Sequence, residues 1–197
     1  MFLPKGYPCT VEVKGVETPL RTGFRAQLLV ESANLSTAEG RTGALYALYN
    51  VKGDKLPKNV LNAPQEALEA GLAWHNSAYE CLDYGKKAPG DAKQSSQTPK
   101  RRTFDWTADE AIVIADFQRF YGLDLTNPST YLHWYRFISL FLALIRTEDS
   151  LLASAIGARQ PFRGGGKEAK KAHQAAATFW SLPPSDNELR AMLKANW

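Results

Sequence analysis

The stretch from Ser129 to Arg146 constrains the fold of this chain more than any other part of its sequence. It carries Tyr131, Leu132, Trp134, Tyr135, Phe137, Ile138, Leu140, Phe141, Leu142, Leu144 and Ile145. Wound at helical pitch, these side chains surround nearly the whole circumference. Asn127-Pro128 predicts the start, with asparagine as cap and proline in the first turn. A helix that is apolar all round is buried on most sides, so this one is either the central strut of a lobe or is covered by a partner. It is no bilayer span: His133 and Arg136 interrupt it, and a span needs about 20 apolar residues.

Around this strut the sequence predicts more helices and a single hairpin. Val11 and Val13 alternate with polar neighbours at strand period, Lys14-Gly15 supplies a turn, and Glu17 to Leu20 returns with Pro19 marking an edge. A helix starting at Thr22 or Gly23 carries Phe24, Leu28 and Leu29. Ser36 to Glu39 has the capping-box form before Leu45, Leu48 and Tyr49, and Asn62 with Gln65 opens a stripe of Leu68, Leu72, His75, Tyr79 and Leu82. Thr107 to Glu110 is a second capping box, leading to Val113, Phe117, Phe120 and Tyr121, with Gly122 closing that helix. Short helices are expected from Glu148 to Gly157 and from Lys167 to Ser181. Pro183-Pro184 ends the second of these, and a last helix capped at Ser185 bears Leu189, Leu193 and Trp197.

Between Gly85 and Thr103 the chain has many breakers and charges and no large apolar residue. A structureless run this long is uncommon inside a compact domain, so it reads as a flexible linker between two lobes. The expected organisation is a mostly α protein with helical bundles and a small N-terminal β-hairpin. Residues 1–84 form the first lobe, 85–103 the basic linker and 104–197 the C-terminal helical lobe.

Charge follows the same division. The whole chain carries +4, but Lys86, Lys87, Lys93, Lys100, Arg101 and Arg102 against Asp91 give the linker segment +5 and leave the rest at −1. Lys86, Lys87, Lys100, Arg101 and Arg102 are the candidate anion contacts, with the salt-dependent affinity that phosphate neutralisation brings. No aromatic side chain stands among them to stack on bases, and a solvated tether explains them more simply, so the balance is against nucleic acid. Cys9 and Cys81 make no disulfide framework and no metal-ligand spacing. Met1 to Thr10 hold neither the apolar run nor the charged lead-in of a secretory signal, which predicts a cytosolic protein.

Catalytic and cofactor constellations are not found in the sequence. Gly164-Gly165-Gly166-Lys167 lacks both the upstream glycine and the following serine or threonine of a phosphate loop, and reads as a break between helices. His75, His133 and His173 make no metal spacing, and His75 reads as a hydrogen-bonded histidine within an apolar stripe. Asp109 and Glu110 resemble an acid–base pair but occupy a first helical turn, where capping and the helix dipole account for them. The expectation is no catalytic residue, no cofactor and no metal. If the protein acts by contact, the aromatic helix is the candidate surface: His133, Trp134, Arg136, Phe137 and Phe141, with Trp197 at the C-terminus.

Several segments, in this order, carry a resemblance. They are VEVKGVETPLRTGFRAQLLVE (Val11 to Glu31), PKNVLNAPQEALEAGLAWH (Pro57 to His75), YGLDL (Tyr121 to Leu125), LHWYRFISLFLAL (Leu132 to Leu144) and AIGARQP (Ala155 to Pro161). LHWYRF is the most specific of them. Together they resemble the bacteriophage gene-product-fifteen family, whose members look like tail assembly chaperones of long-tailed phages. The resemblance implies a non-enzymatic protein that binds the phage tape measure protein, together with a companion chaperone, in the host bacterial cytoplasm during tail assembly. The alternatives are a structural virion component, at the head-tail junction or in the tail, and a nucleic-acid-binding accessory factor.

Overall fold

The structure, a computed structural model, describes residues 6–50, 55–80 and 102–184. The linker expected over 85–103 therefore lies outside the described residues except for Arg102 and Thr103, as do Cys81, Leu82 and the last helix expected after Pro184. The fold is mostly α, with one two-stranded antiparallel hairpin at the N-terminus. Strand β1 (Thr10–Val13) pairs with β2 (Val16–Pro19), placing Thr10 opposite Pro19 and Val13 opposite Val16. Lys14 and Gly15 both take positive φ, 55° and 69°, as a tight two-residue hairpin turn requires.

The chain divides into two compact units, and the division differs from the one expected from sequence. The first takes in the chain up to Asp91 together with Asn127–Leu142, and the second Ala92–Thr126 with Ala143–Trp197. Residues 127–142 thus belong with the N-terminal segment and not with a lobe spanning 104–197. The reason is the affinity of the aromatic helix for the first unit. The Trp134 indole donates to the His75 carbonyl at 2.9 Å, the Tyr135 hydroxyl to the Trp74 carbonyl at 3.1 Å, and Phe137 stacks on Phe24 with centroids 5.0 Å apart.

In the first unit, α1 (Phe24–Glu31) packs on α2 (Ala38–Tyr49), and α2 on α4 (Pro64–Glu80), which also meets β1 and the short α3 (Lys58–Asn62). Thr37, one residue later than the capping-box pattern places the cap, accepts the Gly40 amide and caps α2. On α1 the buried residues are Phe24, Ala26, Gln27 and Val30, while Leu29, expected inside, points to water. The α2–α4 contact requires a glycine. A β-carbon on Gly71 would stand 2.7 Å from Leu48 Cδ1 and 3.1 Å from the Tyr49 hydroxyl. Gly71→Val is therefore expected to cost about 1–3 kcal/mol through overpacking. A urea midpoint no lower than that of the parent would show that the helices have room to spare there.

Tyr49 adds a pH dependence. It is buried, its hydroxyl donates to the Ala67 carbonyl at 2.7 Å, and burial pushes its pKa up to about 12. A phenol whose folded pKa is raised contributes stability that is whole below its unfolded pKa and is lost as pH rises through the folded one. Between about pH 10 and pH 12 the unfolded chain binds fewer protons, so stability falls by up to about 1.4 kcal/mol per pH unit for this group. Urea titrations at pH 9 and 11.5 should show a smaller loss in Tyr49→Phe than in the parent; equal losses would remove Tyr49 as the source.

The aromatic helix itself is shorter than its apolar run. Helix α6 spans Trp134–Leu144, and Asn127 to His133 are not helical. Consecutive side-chain turns redirect the chain first: Asp124 accepts the Thr126 amide at 2.8 Å and Asn127 accepts the Ser129 amide at 2.9 Å. The chain then runs against the start of α1. The Phe24 amide donates to the Leu132 carbonyl and the Trp134 amide to the Thr22 carbonyl, with Gly23 and His133 as the bridged pair.

In the second unit, α5 (Glu110–Tyr121) packs on α7 (Leu151–Arg159), and α7 on α8 (Lys167–Phe179). Gly122 closes α5 at φ 64°, as expected. Thr107 does not cap this helix. Asp105 instead accepts the amides of Thr107 and Ala108, and Asp109 is buried. Helix α7 starts at Leu151, later than the sequence predicts, because Ser150 caps it and the buried Asp116 accepts the Ser150 hydroxyl and the Leu151 and Leu152 amides.

Candidate functional site

Three groupings among the described residues bear on function. The first is a polar cluster inside the first unit. Gln27 donates through Nε2 to the Arg21 carbonyl at 2.5 Å, which turns its Oε1 toward His75 Nδ1 at 2.8 Å. His75 Nε2 lies 2.9 Å from Glu31 Oε1, and the same oxygen accepts the Tyr79 hydroxyl at 2.6 Å. Burial, and then Glu31, push the Tyr79 pKa upward, so the phenol stays protonated and donating. Trp134 stacks on the imidazole with centroids 4.7 Å apart. A histidine between a carboxylate and an amide invites a catalytic reading, but no serine or cysteine touches this imidazole among the described residues. Both ring nitrogens are engaged and the ring is buried. The cluster ties α1 to α4 and gives a polar group in the core its full set of partners.

The second grouping is the ion pair of Asp109 and Arg159. Arg159 Nη1 and Nη2 each donate to one Asp109 oxygen at 2.7 Å, while Nη1 also reaches the Thr103 carbonyl and Nε the Trp180 carbonyl. One guanidinium thereby joins α7, the start of α5 and the end of α8. This corrects the reading of Asp109 as a capping residue; the paired carboxylates Asp109 and Glu110 divide into one buried and one exposed group.

The third grouping is a surface. Tyr131 is 66% exposed and Leu29 60% exposed. The Tyr131 ring lies over Gly23, whose missing side chain permits the approach, and its hydroxyl shares a hydrogen bond with Thr22 at 2.8 Å. Beside it the Arg25 guanidinium donates to the carbonyls of Asn127 and Thr130, each at 2.6 Å. Leu29 follows Arg25 one turn along α1 on the same side. Tyr131 and Arg25 line an open groove of about 380 Å³ that reaches Leu20 and Pro128, and Leu29 lies one turn along α1 outside that lining. A tyrosine and a leucine of this size in water, with an arginine between them, suit contact with another chain.

The contact residues expected from sequence are placed differently. Trp134, Phe137 and Phe141 are buried within the first unit, Trp134 at 0% exposure, so they form core and not a docking face. His133 is half-buried, stacked on Tyr7 at 4.9 Å; burial lowers its pKa while the Pro8 carbonyl acts in the opposite direction. Arg136 is exposed. Trp197, Lys86, Lys87, Lys100 and Arg101 lie outside the described residues. Arg102, expected as an anion contact, is committed to Asp105 at 2.7 Å and to the Pro183 carbonyl. Sequence reasoning missed Tyr131 and Leu29 as surface residues. The available signal was the run of turn formers from Asp124 to Ser129, which delays the helix and leaves Tyr131 outside it.

Among the described residues no group of three histidine, cysteine, aspartate or glutamate side chains is placed to hold a metal ion, and no helix is long and apolar enough to cross a membrane. Searches of curated proteins and of solved structures returned no match. The model of the family described as Bacteriophage Gp15 protein matches residues 5–180, from before the hairpin to the end of α8. A match over that much of the chain identifies it: the protein belongs to the Bacteriophage Gp15 protein family, a family of phage structural and morphogenesis proteins.

Proposed function

We propose that this protein is a tail assembly chaperone that binds the phage tape measure protein in the host cytoplasm and holds it until tail subunits assemble. The observation that carries the reading is the exposed Tyr131 at the groove between the start of α1 and residues 128–131, with exposed Leu29 one turn further along α1, within a family of phage morphogenesis proteins. A long helical partner exposes apolar stripes that aggregate when left bare. An apolar face with a fixed cation beside it suits such a stripe by helix-in-groove packing. The buried aromatic helix supplies the rigid backing for that face.

Co-expression with the tape measure protein tests it. The expected result is a retained complex and a larger soluble fraction of the partner. No complex and no gain in the soluble fraction would sink the reading. Mass spectrometry of purified particles separates it from the structural-component alternative: a chaperone is absent or scarce there, and a virion component is stoichiometric.

A further inference from the structure

We propose that His133 is a proton-operated latch: the neutral imidazole holds residues 6–9 across the start of α6, and a second proton on the ring lets them go. The inference goes beyond the chaperone reading and does not depend on it.

His133 stands immediately before α6, and its carbonyl accepts the Phe137 amide at 2.9 Å. Its side chain closes the same end of the helix, with Nδ1 accepting the Tyr135 amide at 3.3 Å. An imidazole thus fills the capping role more often given to a hydroxyl or carboxylate. An amide can only donate, so Nδ1 carries no hydrogen and the neutral ring bears its one hydrogen on Nε2. Nε2 is buried without a hydrogen-bond partner. The Pro8 carbonyl, which faces the ring, already accepts the Trp74 indole at 3.0 Å.

Residues 6–9 cover this ring. Tyr7 stacks on it at 4.9 Å and leans on Tyr135 at 5.8 Å, while Pro8 is tied to Trp74. Trp74 from α4 and Tyr135 from α6 complete the walls, with centroids 5.9 and 5.5 Å from the imidazole, and the bridged Gly23 brings no side chain. The titratable groups against the ring are the Tyr7 and Tyr135 phenols. Among the described residues no carboxylate forms an ion pair with it. The ring is held by a cap and by aromatic packing, and both suit its neutral form.

A second proton has one place to go, Nδ1, and there it meets the Tyr135 N–H. The cap is lost. The new charge stands at the positive end of the α6 dipole and among aromatic carbons. Stacking on Tyr7 favours a cation, but it is one contact against three penalties. Burial accordingly lowers the His133 pKa from its ordinary 6.5, against the Pro8 carbonyl. A folded pKa below the unfolded one makes the closed form fully stable above the ordinary value of 6.5, and less stable as pH falls from there toward the folded value. Swinging out to water relieves the ring of all three penalties. That movement unstacks Tyr7 and loosens the Gly23–His133 bridge. Tyr131 lies two residues before His133 on the same segment, so its place over Gly23 loosens with it.

The test is NMR on the full chain between about pH 7.5 and about pH 4.5, following the histidine Cε1–H signals and the Tyr7 ring. His133 should titrate below 6.5, and the Tyr7 signals should move to exposed positions with the same midpoint while far-UV circular dichroism holds. His133→Asn assigns the His133 signal and supplies a capping oxygen that does not titrate, so its Tyr7 signals should stay in place across the range. Tyr7→Ala hydrates the imidazole and should raise its midpoint by about half a pH unit or more, roughly threefold in proton affinity. The latch is overturned if His133 titrates at or above 6.5, or if the Tyr7 signals do not move with it. It is equally overturned if His133→Asn keeps the parent's transition, if Tyr7→Ala leaves the midpoint unchanged, or if the whole fold melts in the same step.

Discussion

Replacing Asp109 with alanine is expected to destabilise the second unit by about 3–5 kcal/mol, because removing one partner of a buried ion pair leaves the other charge buried and uncompensated. Both groups are buried, and the bond between them is bidentate at 2.7 Å on each arm. Asp109 also accepts the Asp105 amide at 3.0 Å, so alanine orphans a backbone donor as well. Calorimetry and hydrogen exchange at the amides of α5 and α7 would measure the loss. The double variant Asp109→Leu, Arg159→Met should lose less than the two single variants together. It should not recover fully, since Arg159 also satisfies the carbonyls of Thr103 and Trp180. Strict additivity of the two singles would mean that the pair is not coupled as its geometry requires.

Trp134→Ala should be equally damaging to the first unit, at about 3–5 kcal/mol for a large buried aromatic replaced by alanine. The indole fills the space beside Phe137 and His75, at centroid distances of 5.7 and 4.7 Å, and its Nε1 satisfies the His75 carbonyl. The variant discriminates between two roles for the aromatic helix. A docking residue can be truncated with little effect on the melting temperature of the free protein, whereas a core residue cannot. A free protein that melts within about 1 °C of the parent after this change would return Trp134 to the surface and undo the description of the core.

The contrast between Trp134 and Tyr131 shows where sequence was sufficient and where it was not. Apolar density over 129–146 correctly marked a buried strut, since burial depends on composition and period. It could not divide Tyr131 from Trp134, because that division is made by two backbone bonds, from the Phe24 amide to the Leu132 carbonyl and from the Trp134 amide to the Thr22 carbonyl, between segments more than a hundred residues apart in sequence. The hairpin was legible because Lys14-Gly15 determines its own turn, and Gly122 was legible as a left-handed stop for the same local reason. Asp109 was misread because its partner, Arg159, is fifty residues distant. Capping patterns are local and visible in sequence; buried ion pairs are settled by packing. Leu29 was misread because α1 turns Gln27 inward to meet His75, an exchange of a polar for an apolar residue that hydrophobic spacing does not anticipate.

The most direct test is the affinity of the purified chain for a helical fragment of the tape measure protein, compared between the parent and the double variant Leu29→Ser, Tyr131→Ser by isothermal titration calorimetry. The account predicts binding by the parent, a loss of about tenfold or more in the variant, and a melting temperature that moves by no more than a few degrees, since both side chains already face water. A variant that binds as tightly as the parent, or a parent that does not bind at all, would contradict it.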